Sequence, residues 1–174
     1  MKVESTPLAA LIADSKDTLV QKWFERILHT YPESTTGFFS REKDPFRNPI
    51  GHTLKEALPA LFDGLVQSTD MTSMQPVLDS IVRIRAVQDF TAGQAVAFIF
   101  FLKQIIRQEL KSSISQFPDE FAALDTRIDE MALLAFDLFM KCRQQVYEIK
   151  ANEAKRMVFQ LERLSQVGSA GLTK

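Results

Sequence analysis

Apolar residues recur along this chain at intervals of three and four, and no alternation of period two lasts beyond a few positions. That spacing predicts helices throughout, so the chain reads as all-α. Thr6-Pro7 fits a helix N-cap followed by proline at the first helical position, and Leu8, Ile12, Leu19, Trp23 and Ile27 carry the stripe to about His29. Tyr31-Pro32, Gly37 and Asp44-Pro45 interrupt it, which predicts an ordered loop over residues 30–47. The four aromatics of that loop, Tyr31, Phe38, Phe39 and Phe46, need something to pack on. Asn48-Pro49 repeats the cap logic, and Ile50, Leu54, Leu58, Leu61 and Leu65 line the next helix, which Pro59 is expected to kink near Lys55. A third helix is predicted from Ser73 to about Val87, with Pro76 in its first turn. Thr91-Ala92-Gly93-Gln94 fits a capping box that opens a helix to about Ser113. Apolar residues lie nearly all round the first half of that helix, which predicts a central, buried position.

Pro118 opens the last predicted helix, with Asp119 and Glu120 favourable in its first turn, and nothing stops it before Gly168. From Asp119 to Leu164 such a helix runs roughly 69 Å at 1.5 Å per residue. A compact chain of this length has a radius of gyration of about 16 Å, so a straight helix outruns its own body. Phe121, Leu124, Ile128, Met131, Ala135, Leu138 and Cys142 form a wide core-type stripe. Beyond Cys142 the stripe narrows to Val146, Ile149, Glu153, Met157, Leu161 and Leu164, at steps averaging about 3.67 residues, a spacing that suits a straight or slightly right-handed helix pair. The expected architecture is a globin-like or related bundle of five to six helices with a long C-terminal helix. It divides into a helical sensor-like domain over residues 1–145 and a continuing helix with a frayed tail over residues 146–174. The six positions from Val146 to Leu164 are the candidate partner surface, and a homodimer is the expected state.

Composition narrows the function classes. The net charge is −1 and no run of lysine and arginine occurs, so the footprint of a nucleic-acid binder is missing. The most apolar run, residues 95–102, is far short of the roughly 20 residues that cross a bilayer, and the N-terminus lacks a signal-peptide pattern. Neither membrane insertion nor nucleic acid is expected. A single cysteine fits a reducing, cytoplasmic setting. Fourteen phenylalanines against one tryptophan and two tyrosines point to a phenylalanine-rich core.

Three stretches resemble a known family: Trp23-Phe24-Glu25-Arg26-Ile27 leading to Tyr31-Pro32, Asp44-Pro45-Phe46-Arg47-Asn48-Pro49-Ile50-Gly51, and Arg83-Ile84-Arg85-Ala86-Val87-Gln88-Asp89-Phe90 running on to Phe98 and Leu102-Lys103. Over roughly residues 8–150 the chain resembles the N-terminal domain of RsbRD-type stressosome co-antagonists. The resemblance implies a fold similar to globins that bind no haem, a dimer, and a C-terminal helix that in the wider group leads to a STAS domain. No STAS-type stretch or phosphoacceptor follows within this sequence, so the expectation is a free-standing sensory or docking module that relays a signal through its last helix. The resemblance also implies two alternatives: an accessory protein of a sulfite-reduction-type redox complex, or a small-ligand-binding sensor.

Candidate chemistry is sparse. His29 and His52 are the two histidines, and the stretch 73–87, where a globin-type haem would seek its ligand, offers no His, Cys or Tyr and only Met74 near its start, so no haem or other cofactor is expected. One Cys and two His do not make a zinc cluster. No Ser/His/Asp or Cys/His set and no phosphate loop occurs, so no catalytic residue is assigned and a non-enzyme is expected. The candidate ligand pocket comprises Trp23, Phe46, Asn48, Arg83, Arg85 and Gln88. Asn48 also reads as a simple cap, with Gly51 marking a close backbone approach. Arg83 and Arg85 read either as an anion clamp or as a helix C-terminal charge pair, and at two residues apart they cannot share a face. Cys142 reads as a small core residue or, if two such helices pair in parallel, as a redox switch.

Overall fold

The computed structural model describes residues 7–32, 37–39, 41–42, 44 and 46–170, with backbone alone for Ser112 and residues 164–170. The expected cap at Thr6 and the last residues of the expected tail lie outside that range. Seven helices are traced through the described residues: α1 (Pro7–Asp14), α2 (Lys16–Leu28), α3 (Pro49–Val66), α4 (Met71–Ala86), α5 (Ala92–Glu109), α6 (Lys111–Ile114) and α7 (Pro118–Ala170); residues 37–39 and 41, within the stretch expected to be a loop, are helical as well. The all-helical bundle with its long last helix is as expected and is compatible with a globin-like arrangement. The count of five to six rises to seven because two runs break. Ser15 leaves helical geometry (φ −94°, ψ 4°) and divides the first run, and Leu110 (φ −105°, ψ 20°) divides the fifth helix from the single turn of α6.

Local chemistry explains most of the boundaries. Pro7, Pro49 and Pro118 are each the first residue of their helix, where the missing N–H costs nothing. Thr91 and Gln94 form the reciprocal capping box. Helix α4 starts two residues earlier than predicted, because the Asp70 carboxylate accepts from the Thr72 N–H and caps it there. Pro76 therefore sits in the second turn rather than the first. At the end of α3, Thr69 N–H donates to the Gly64 carbonyl (2.9 Å) and Ser68 N–H to that of Leu65 (3.3 Å), the paired closure of a helix ended by a left-handed residue. Ser68 supplies it at φ 54°.

The core gathers apolar faces from α1 to α5 and the first half of α7. Helix α5 lies centrally, against α2 on one side and α7 on another, and α7 also runs along α4. Helices α5 and α7 are antiparallel: Lys103 binds Asp129 and Asp125 at 2.9 Å each, and Arg107 binds Asp125 at 3.1 Å, so rising numbers on one meet falling numbers on the other. Two arginines of α7 fasten it to neighbouring helix ends. Arg127 donates to the Gly64 and Thr69 carbonyls closing α3, and Arg143 Nη1 donates to the Ala86 carbonyl closing α4 (3.1 Å). Cations suit those ends, where orphan carbonyls concentrate negative potential.

Cys142 is the last buried residue of α7 among those whose side chains are described. Val146 is half-buried and every residue from Tyr147 to Arg163 is exposed, yet the backbone stays helical through Gly168 to Ala170. Gly168 therefore does not end the helix. No helix among the described residues is long and apolar enough to cross a membrane.

Candidate functional site

Asn48 is fully committed to structure. Its side-chain carbonyl accepts from the Gly51 N–H (2.8 Å), and its amide donates to the Phe39 and Glu42 carbonyls (2.8 and 2.9 Å). One buried side chain thus starts α3 and ties down the preceding loop. Gly51 is required by this packing, since a Cβ there would stand 2.4 Å from the Phe39 carbonyl and 2.3 Å from the Asn48 amide. Phe46, two residues before, is 96% exposed. Of the other described aromatics, Tyr31 meets Phe39 and Phe90 edge to face at 5.4 and 5.5 Å, while Phe38 is exposed and meets only the Phe39 ring at 6.2 Å among the ring contacts described.

Arg85 is the most unusual side chain in the interior. It is 0% exposed. Its Nη2 donates to the Thr30 hydroxyl (3.1 Å) and the Gln94 carbonyl (3.2 Å), while Nε and Nη1 have no hydrogen-bond partner. Aromatic faces surround it instead, with the guanidinium carbon 4.3 Å from the Phe90 centroid, 5.5 Å from Tyr31 and 5.6 Å from Phe98. Burial pushes its pKa down and the neighbouring Tyr31 pulls it part of the way back. Burial likewise pushes the Tyr31 phenol up, against the opposing effect of Arg85. No carboxylate among the described residues comes within ion-pair range of Arg85. The charge is held by ring quadrupoles and two oxygen acceptors.

Arg83 points the other way. It is exposed and pairs with Asp79 one turn earlier, so the two arginines do fall on different faces. Trp23 is buried, donates its indole N–H to the Phe98 carbonyl (2.6 Å) and stacks on the Phe98 ring at 6.2 Å. Gln88 keeps a buried Oε1 without a hydrogen-bond partner. Of the six residues expected to line a pocket, the structure brings Trp23 and Arg85 together on Phe98. It leaves Phe46 and Arg83 in solvent and occupies Asn48 with capping.

Cys142 lines a shallow cleft between α4 and α7 with Asp79, Arg83 and Lys141. Burial, helped by Asp79, raises its pKa, so the thiol is a poor nucleophile. It sits within the body and not on the exposed part of α7. There, Ile149, Met157 and Leu161 are 59–66% exposed together with Val158 and Phe159. Val146 lies half-buried at the root, and Glu153 is exposed in the same stretch. Leu164 is placed only by its helical backbone.

The partners of Arg85 come from three separate segments, which pattern reading does not join: Thr30 and Tyr31 after α2, Phe90 before α5, and Gln94 and Phe98 within α5. Arg127 and Arg143 were equally absent from the sequence candidates. Their signal is position: each adjoins the buried stripe of α7, where a long side chain reaches a neighbouring helix end.

These features define an all-helical, globin-compatible body from which one helix continues well past its last core contact. The family model described as the RsbT co-antagonist protein rsbRD N-terminal domain matches residues 17–154, and the chain belongs to that family of signalling domains. An uncharacterized protein of Archaeoglobus fulgidus is 20% identical over 156 residues, covering 89% of this chain and 95% of the relative. No solved structure matches the chain.

Proposed function

We propose that this chain is a non-catalytic sensory or docking domain of a cytoplasmic signalling assembly, and that it passes its state to a partner through the exposed part of α7. One observation carries the reading: a helix that stays regular from Tyr147 to Arg163 with every residue exposed, presenting Ile149, Met157, Val158, Phe159 and Leu161 to solvent. Helices in proteins gain most of their stability from tertiary packing, so a helix with this much exposed apolar surface points to a partner that covers it. The partner is a second copy, paired along Val146, Ile149, Glu153, Met157, Leu161 and Leu164. Phosphate loops, nucleophile–base pairs and metal-type clusters do not enter this reading.

Native mass spectrometry of the wild type and of Ile149→Glu/Leu161→Glu tests it. A wild-type dimer that becomes monomeric in the double variant, with the melting temperature of the body unchanged, supports it. A monomeric wild type, or a dimer indifferent to both charges, removes it. A small-ligand-binding sensor is the second reading, favoured by a cavity at the base of the same helix.

A further inference from the structure

A second apolar row runs along α7 beside the face that packs on the core. Leu133, Met140, Tyr147, Ala154 and Leu161 follow one another at seven residues each, with Phe136 and Val158 next to them. A seven-residue spacing keeps such a row on one face of a helix that pairs with another. The row begins on the body, where Leu133, Phe136 and Met140 are 43–69% exposed. It ends on the exposed continuation of α7, a rod from Tyr147 to Arg163. At the junction, Arg143 donates to the Tyr147 hydroxyl (2.9 Å) and fixes that ring in the row. On α5, Phe100 continues the edge of Lys103 and Arg107 by one turn, as Leu133 and Phe136 continue the edge of Asp125 and Asp129 on α7. The ion pairs between those edges bring Phe100, also exposed, to the turn of α7 that holds Leu133. The body thus presents an apolar patch spread over two adjacent helices.

The rod has a face to match. Tyr147, Ala154 and Val158 widen the stripe of Val146, Ile149 and Met157, with Leu161 between the two rows. A face that wide suits a surface built of two helices better than a single helix. Charge selects the direction. From Pro118 to Met140, α7 carries six acidic residues against Arg127 alone, whereas from Tyr147 to Arg163 it carries four basic against three acidic. Two parallel copies set acidic half against acidic half, and two antiparallel copies set each acidic half against the more basic one. Asp137 and Lys155, both exposed, are eighteen residues or five turns apart and so share one edge of the row, and an antiparallel partner brings like edges together.

We infer that two copies pair with their α7 helices antiparallel and centred near Tyr147, the rod of each lying on the patch of Phe100, Leu133, Phe136 and Met140 on the other's body. Rod on body is a contact between unlike surfaces, and it closes into a dimer when a two-fold axis makes it twice. The inference rests on the reading that the partner of α7 is a second copy, and it adds what each rod covers.

The test is a nitroxide distance in the intact chain, with Arg163→Cys labelled in a Cys142→Ala background. Arg163 is exposed and lies off both rows. Sixteen residues from Tyr147, the two labels stand roughly 48 Å apart in the antiparallel dimer, at 1.5 Å per residue. In a parallel dimer the neighbouring helices hold them within about 25 Å. Leu133→Glu/Met140→Glu changes exposed residues of the body alone, and should raise the dimer dissociation constant at least about tenfold by sedimentation, with the thermal melt unchanged. A distance under about 25 Å, or a body variant that dimerises as tightly as the wild type, overturns the arrangement and leaves the second-copy reading standing. A wild type that sediments as a monomer and gives no dipolar signal removes both.

Discussion

Arg85 sets the terms at the residue scale. A guanidinium with two unpaired nitrogens, enclosed by three rings, carries a desolvation cost that no carboxylate among the described residues offsets. Replacing such a buried charge with an apolar side chain of similar length is often neutral or stabilising, so Arg85→Met is expected to change unfolding stability by less than about 1.5 kcal/mol in the unfavourable direction. Arg85→Ala leaves a void among Tyr31, Phe90 and Phe98 and is expected to cost about 2–4 kcal/mol. Urea denaturation of both variants checks the pair; a large loss in the methionine variant would mean that the charge itself holds the fold. A second residue-scale expectation concerns pH. Burial raises the pKa of Tyr31 above its usual 10.0 and that of Cys142 above its usual 9.0. Above those values the unfolded chain gives up protons that the native chain still holds, so stability falls as pH rises. Melting temperature should decline from about pH 9 upward, and Tyr31→Phe with Cys142→Ala should flatten the decline.

Elements whose boundaries rest on adjacent residues were the readable ones. The Thr91–Gln94 box and the proline starts at Pro49 and Pro118 need only neighbours in the chain, and they stand where the pattern put them. The break at Ser15 has no such signature, because the stripe from Leu8 to Ile27 continues through it. Phe46 shows the opposite failure: an aromatic in a loop predicts a packing partner, and here none covers it. The pocket residues were legible as types but not as a group, since the groups around Arg85 are fixed by how α2, α4 and α5 cross rather than by spacing. The end of α3 carries its own prediction. Ser68 holds φ 54°, a conformation that a side chain resists and glycine does not. Ser68→Gly is expected to stabilise the protein by about 0.5–1 kcal/mol, measurable as a raised denaturation midpoint with unchanged slope. An unaltered or lower midpoint would show that the serine side chain has a compensating role.

The molecule as a whole combines a packed body with a helix whose residues from Tyr147 to Arg163 are all exposed. Since Tyr147 and the sixteen residues after it are exposed, deleting residues 148–174 is expected to leave the melting temperature of the body within about 3 °C, the shift that about 1 kcal/mol produces in a domain of this size. Small-angle scattering should report a maximum dimension shorter by roughly 35 Å in an unpaired chain, at 1.5 Å for each helical residue removed. Strong destabilisation on deletion would mean that the rod braces the body in an assembly.

Arg127 and Arg143 grip α7 at two points four turns apart, and the cavity adjoins the lower grip. From Arg143 the helix extends roughly 40 Å further at its regular rise. A pivot of only about 5° between those grips swings the far tip sideways through roughly 3–4 Å. Under the proposed relay, a pointer of that length would turn displacements too small to disturb the core into a larger movement at its end.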